Sequence, residues 1–181
     1  MDIQTIYQDT IKYAAGKHES TSQKVPGTNL PYVVHLSNVA MEILITSRHT
    51  DNFNLELALK AALLHDILED TGTTKEEFES HFGADVTHGV LALTKNEDLP
   101  KEDQMADSLK RIKAQPLEIW AVKLADRITN LQKPPSTWSN EKKIKYHDEA
   151  QIILDTLGSG NAYLASRLSA KIKEYESYIN S

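Results

Sequence analysis

Apolar residues recur at three- and four-residue intervals through most of this chain, and alternating apolar–polar runs are scarce. That spacing predicts helices near residues 2–16, 32–48, 54–69, 74–82, 84–94, 101–114, 116–132, 139–157 and 160–179. Several starts have a physical basis. Thr73 and Thr74 precede Glu76 and Glu77 in the manner of a capping box. Pro116 can open a helix because its missing N–H is harmless in the first turn. Ser139 can cap the helix that follows it. Between the helices lie a polar loop at 17–31 with Pro26, Gly27 and Pro31, and a charged loop at 95–101. Residues 133–138 must be irregular because of Pro134 and Pro135. There is no internal repeat, low-complexity tract or linker. The expectation is an all-α helical bundle of about eight to ten helices, folded as a single domain over residues 1–181.

Composition narrows the function classes. A chain of 181 residues supports one well-formed core and is short for two. The net charge of −6 argues against a general nucleic-acid or anionic-membrane binder. The absence of cysteine excludes disulfides and thiolate sites, so any metal must sit on nitrogen and oxygen. The amphipathic start, with Asp2, Gln4, Asp9 and Lys12, lacks a signal-peptide run, and no segment is long enough to span a bilayer. A cytoplasmic protein is expected. The apolar stripe of Leu164, Leu168, Ile172 and Tyr175 can pack internally or across a homodimer.

The densest chemistry lies in residues 61–71, AALLHDILEDT, where an apolar helix ends in His65-Asp66 and then Glu69-Asp70. On a continuous helix, positions i and i+4 share a face, so His65 would stack with Glu69 and Asp66 with Asp70. Unpaired carboxylates are costly to bury, so an ordinary core would not place charge there. An adjacent imidazole and carboxylate supply one nitrogen and one oxygen to a divalent metal. In VKLADRITNLQ, residues 122–132, Asp126 and Asn130 are four apart on one helix and should face the same way. Taken alone, Lys123, Asp126, Arg127 and Asn130 read as a solvated stripe. His35, in LPYVVHLSNVA, comes about one turn into a helix entered through Pro31 and Tyr32. A lone helical histidine is more often structural than a ligand. His18, His49, His81, His88 and His147 have no comparable neighbourhood and read as surface or packing residues.

Taken together and in order, LPYVVH, HDILEDT and KLADRITNL resemble the PYxxH, HDxxED and KLADRxxN segments of HD-domain metal phosphohydrolases of the RelA/SpoT hydrolase type. The resemblance runs from about residue 5 to residue 175, with no synthetase region after it, as in the stand-alone small alarmone hydrolases of the Mesh type. It implies an HD-type helical bundle in which His35, His65, Asp66 and Asp126 bind one divalent metal, Mn²⁺ in family terms. It further implies that Glu69 and Asp70 handle the attacking water and its proton, and that Asn130 supports substrate. Lys24, Lys142 and Tyr146 fall where similar proteins contact the nucleotide, with Lys95 and Lys143 as weaker alternatives. Arg127 would instead serve as a structural ion-pair partner. Two departures stand out. Lys24 replaces a frequent arginine and cannot form a bidentate fork. Ile128-Thr129 replaces a common Leu-His pair beside the metal shell.

The activity implied by the resemblance is metal-dependent hydrolysis of the 3′-diphosphate of ppGpp or pppGpp, giving GDP or GTP plus pyrophosphate. Since the chain is acidic overall, the pocket for such an anion should be locally basic. The same ligand set would also serve an adenine alarmone, the 2′-phosphate of NADPH or a nucleoside phosphate. A non-catalytic nucleotide sensor is the reading from another class, and the presence of both Glu69 and Asp70 weighs against it.

Overall fold

The computed structural model describes residues 2–179. In chain order these form α1 (Ile3–Ser20), α2 (Val33–Thr46), α3 (Leu55–Leu64), α4 (Ile67–Asp70), α5 (Lys75–Phe82), α6 (Ala84–Leu93), α7 (Lys101–Lys113), α8 (Leu117–Asn130), α9 (Asn140–Leu157) and α10 (Ala162–Tyr175). Among the described residues β-type pairing is limited to one isolated bridge, between Lys24 and Pro31. The all-α architecture is therefore the one the helical periodicity predicts.

The helix starts follow from local chemistry. The side chains of Asn54, Thr74, Ser139 and Asn161 accept hydrogen bonds from the N–H groups of Leu57, Glu77, Lys142 and Leu164. At α5 only half of a capping box forms. Thr74 caps Glu77, but the Glu77 carboxylate turns away to Lys17 at 2.6 Å and to the Tyr13 hydroxyl at 3.2 Å. That contact ties α5 to α1.

Two boundaries differ from the sequence expectation, and both shape the site. Helix α1 continues to Ser20, because residues 17–20 contain no helix breaker, and it ends just before Ser22, whose φ is 55°. The segment expected as one helix over 54–69 breaks at His65-Asp66. The cause is local. His65 Nδ1–H donates to the Ala62 carbonyl at 2.8 Å and competes with the backbone for that acceptor. The i, i+4 stacking of His65 on Glu69 and of Asp66 on Asp70 therefore does not describe one helical face, and the acidic residues fan out to separate partners.

Helix α3 is buried on several sides, as expected for a helix with little polar surface. Ala58, Ala61 and Ala62 join a cluster built with Val39 and Ile43 of α2, Val122 and Ala125 of α8, and the inner faces of α9 and α10. Leu59, Leu63 and Leu64 join a second cluster with Ile6, Ala14, Leu36, Phe78 and Val90. Small residues at the α3–α8 contact let the two backbones approach closely. Each buried leucine or isoleucine contributes about 1.5–3 kcal/mol by leaving water. Leu164, Leu168, Ile172 and Tyr175 are consumed in the first cluster, so the α10 stripe packs within the chain.

The loop after α1 folds back over the loop that follows α8. Gly27, with φ 75°, permits this: a Cβ there would meet Pro135 Cγ at 2.8 Å. The two loops flank the end of the bundle where α2 begins and where α3 and α8 end.

Candidate active site

Helices α2, α3 and α8 each bring one ligand-type side chain to that end of the bundle. His35 lies in the first turn of α2, His65 caps α3, and Asp126 lies just before the last turn of α8. The three are buried, and their donor atoms all lie within 4.8 Å of one another. His35 Nε2 is 3.3 Å from His65 Nε2 and 3.4 Å from Asp126 Oδ1, which in turn is 3.6 Å from His65 Nε2. Asp66 Oδ2 joins at 2.9 Å from His65 Nε2 and 3.9 Å from His35 Nε2. Two donors bonded to one ion at about 2.1 Å stand roughly 3.0–3.4 Å apart at octahedral or tetrahedral angles. The His35, His65 and Asp126 donors therefore fit a divalent cation in both spacing and chemistry, with the Asp66 carboxylate at the edge of the group. Because His65 Nδ1–H is spent on the Ala62 carbonyl, its Nε2 lone pair is aimed at this point.

The carboxylates are held from behind. Asn130 Nδ2 donates to Asp126 Oδ1 at 2.5 Å, and Lys123 Nζ lies 3.6 Å from Asp126 Oδ2. The Tyr32 hydroxyl donates to Asp66 Oδ2. Burial, reinforced by the neighbouring Asp66 charge, raises the Tyr32 pKa far above that of an ordinary phenol, so it remains a donor. Burial also pushes the Asp66 and Asp126 carboxyls upward. For Asp66 the His65 imidazolium outweighs it, and for Asp126 hydrogen bonds from His35 and His65 do, so both end below the usual range. Burial opposes the His65 imidazolium in turn, yet Asp66 and Asp126 raise its pKa well above the ordinary value. Without metal the Asp66 and Asp126 charges thus favour the protonated ring, and a cation must displace that proton. Binding of a divalent cation should therefore release protons, and apparent affinity should weaken by up to about tenfold per pH unit below the His65 pKa. Titration calorimetry in buffers of different ionisation enthalpy measures both; buffer-independent heats and a flat pH dependence would contradict the assignment.

Glu69 and Asp70 line the cavity beside this cluster, each with its own partner. Glu69 accepts from the Lys95 backbone N–H at 3.1 Å and from the Lys95 ammonium at 2.5 Å. Lys95 is placed for this by Arg111, whose guanidinium binds the carbonyls of Leu91, Ala92 and Thr94 at the end of α6. Asp70 Oδ2 accepts from Gln23 Nε2 at 2.7 Å. Burial raises the Asp70 pKa, the Gln23 hydrogen bond offsets part of that, and the charges of Asp66 and Glu69 add to it.

The cavity measures about 420 Å³, within the range of small-molecule sites. Its cationic side chains are Lys24, Lys95, Lys101, Lys123 and Arg127, and its anionic ones are Asp66, Glu69, Asp70, Asp126 and Glu149. Five against five, with the His65 proton as the one excess charge before metal binds, is nearer a balance than the basic pocket expected from sequence; a divalent cation in place of that proton tips it to +2.

Of the residues expected at the nucleotide, Lys24, Asn130 and Tyr146 line the cavity. Lys142 does not. It sits in the first turn of α9 with its ammonium over the Trp138 ring, 4.2 Å from the centroid. Lys143 donates to the Tyr178 carbonyl at 2.8 Å, away from the site. Arg127 is buried, stacks on the Tyr146 ring at 4.2 Å and pairs with Glu149 at 3.6 Å, the structural ion-pair role. Sequence reading missed Gln23, Tyr32 and Lys123 as supports of the site, and had Lys95 only as a weaker alternative contact to the nucleotide. It also left His18 as surface or packing, although this residue is buried beside Tyr32. The signal for Tyr32 was its position one helical turn before His35; no comparable signal marked His18.

A helical bundle that converges a His-Asp pair at a helix break with a histidine and an aspartate from two neighbouring helices has the arrangement of an HD domain. The HD-domain family profile matches residues 10–160, and the chain belongs to this family. Membership implies a bound divalent metal. The chain is 32% identical over 166 residues to the guanosine-3′,5′-bis(diphosphate) 3′-pyrophosphohydrolase MESH1 of Drosophila melanogaster, covering 90% of both chains. It is 34% identical over 167 residues to MESH1 of Homo sapiens, again covering 90% of both. A solved structure of a metazoan ortholog of SpoT, described as hydrolyzing ppGpp and playing a role in starvation responses, superposes with a TM-score of 0.79 at 31% identity. That match covers 93% of this chain and 94% of the other. No helix among the described residues is long and apolar enough to cross a membrane.

Proposed function

We propose that this chain is a Mn²⁺-dependent pyrophosphohydrolase, one domain over residues 1–181, that removes the 3′-diphosphate of ppGpp or pppGpp. Water supplies the new oxygen on phosphorus, the bond from phosphorus to the ribose 3′-oxygen breaks, and the products are GDP or GTP and pyrophosphate. One observation carries the reading: the donors of His35, His65, Asp66 and Asp126 converge, and His65, Asp66 and Asp126 line one nucleotide-sized cavity together with Glu69 and Asp70. The names of its relatives support the same substrate.

In this reading His35, His65, Asp66 and Asp126 hold the cation. A divalent cation there acidifies water and supplies positive charge to the phosphoryl oxygens. Glu69, steadied by the Lys95 backbone and ammonium, orients the water and takes its proton. Asp70 binds a proton more readily than an ordinary aspartate, which suits it to return one to the departing 3′-oxygen. Asn130 supports Asp126 and borders the substrate, while Lys24 and Tyr146 face the nucleotide. Lys142 would reach it only by leaving the Trp138 ring. The substrate points to work in the cytoplasm, on a small molecule rather than nucleic acid or membrane. With the α10 stripe consumed internally, a homodimer would have to use another surface.

The test is turnover of ppGpp, pppGpp, ppApp, NADPH and a nucleoside monophosphate by metal-stripped protein resupplied with Mn²⁺. Pyrophosphate release from a guanosine 3′-diphosphate, dependent on Mn²⁺, is expected. Orthophosphate release confined to NADPH or a monophosphate would assign the site to another substrate. Tight alarmone binding without turnover would make it a sensor.

A further inference from the structure

We propose that His18, acting through Gln23, is a positioning residue that fixes the orientation of Asp70. The inference rests on the reading of Asp70 as a proton-handling group. His18 is 1% exposed, in the last turn of α1. Its Nδ1 lies 2.5 Å from Gln23 Oε1, and Gln23 Nε2 lies 2.7 Å from Asp70 Oδ2. The backbone pins Gln23 in between: its N–H donates to the His18 carbonyl at 3.2 Å, and its carbonyl accepts from Tyr32 N–H at 3.3 Å.

The polarity of this chain of hydrogen bonds runs one way. Asp70 Oδ2 carries no proton while it accepts from Gln23, so Gln23 must turn its NH₂ toward it, and any proton Asp70 holds sits on Oδ1. The Gln23 oxygen then faces His18, which must carry its proton on Nδ1. A glutamine free to flip would present oxygen to Asp70 half the time and repel it. The buried imidazole holds that orientation through a second contact, its Nδ1–H donating to Gln23 Oε1. Burial lowers the His18 pKa, so the ring is neutral at pH 7, and Nε2 is left as a bare lone pair with no hydrogen-bond partner among the described residues. A leucine or phenylalanine would fill the space without orphaning a nitrogen. Packing alone thus does not account for an imidazole here, and the contact that does is the one to Gln23. The same ring lies against Tyr32, centroids 4.8 Å apart, whose hydroxyl holds Asp66. His18 → Phe would keep that face and remove only the Nδ1–H.

The experiment is a double-variant cycle on Mn²⁺-dependent ppGpp hydrolysis with His18 → Phe, Gln23 → Leu and the pair. Each single variant is expected to lower kcat about tenfold or more, with KM and Mn²⁺ affinity within about twofold of the parent protein. The double variant should be no slower than Gln23 → Leu alone, because both changes cut one path. Multiplicative losses in the pair would overturn the proposal, since a merely structural His18 acts independently of Gln23. So would a rise in KM alone. Gln23 is only partly buried, so its variant folds even if His18 → Phe does not; a parental kcat in Gln23 → Leu would overturn the proposal by itself. The parent protein is assayed alongside. If it hydrolyses no alarmone, the functional reading fails and takes this one with it; if it does, an uncoupled cycle sinks only the role of His18.

Discussion

Asp126 → Asn should lose about 10³-fold or more in Mn²⁺-dependent kcat/KM while still folding. The substitution keeps the shape of the side chain, and its amide oxygen can still accept from Asn130, as Asp126 Oδ1 now does at 2.5 Å. What disappears is an anionic donor shared between His35 and His65. Lewis-acid stabilisation by a bound cation is worth several kcal/mol, and each 1.4 kcal/mol or so is tenfold in rate. A thermal readout separates this from misfolding. With Mn²⁺ at about 100 times its dissociation constant, the parent protein gains about 2.7 kcal/mol of stability. In metal-free buffer the variant should still melt cooperatively, though below the parent because the buried His65, and Lys123 with it, lose an anionic partner, and Mn²⁺ should raise its Tm little. A variant with parental turnover and a parental Mn²⁺-induced shift would remove Asp126 from the metal shell, and with it the proposed centre.

The parts of the site legible in the sequence are those where charge interrupts an apolar helix. Asp126 sits among Leu124, Ala125 and Ile128, and His65-Asp66 ends a run of alanines and leucines. At such places burial and polarity conflict, so the residue types alone point to a shared partner. The break after α3 was not legible, because apolar periodicity runs straight through it. It depends on one imidazole N–H outcompeting the backbone for the Ala62 carbonyl, a choice stabilised only once Asp66 and Asp126 meet His65. Nor was His18 legible. Its burial needs α1 to run beyond its expected end and the following loop to return through Gly27 onto Pro135. Lys95 and Lys142 exchange importance for a similar reason. Both are loop-proximal lysines in sequence, but Arg111 fixes the end of α6 beside Glu69, whereas the first turn of α9 carries Lys142 onto Trp138. Reach between elements is a property of packing, and no local pattern encodes it.

Glu69 → Gln should lower kcat by about 10²–10⁴-fold, the usual worth of a positioned general base. KM and Mn²⁺ affinity should stay near parental values, which sets this variant apart from Asp126 → Asn. The structural ground is that Glu69 binds Lys95 rather than the histidines, so its carboxylate borders the metal centre without joining it. Glutamine can keep the hydrogen bond from the Lys95 backbone N–H through its oxygen. Its NH₂ would then meet the Lys95 ammonium, where two donors repel. The amide cannot accept a proton from water at any working pH, so the loss should fall on kcat in single-turnover measurements. If Glu69 were instead a metal ligand, the variant would lose Mn²⁺ affinity together with rate. If it only held Lys95 toward a phosphate, KM would rise and kcat would stand. Rate, KM and metal affinity measured on the one variant therefore separate a proton acceptor from a ligand and from a structural brace.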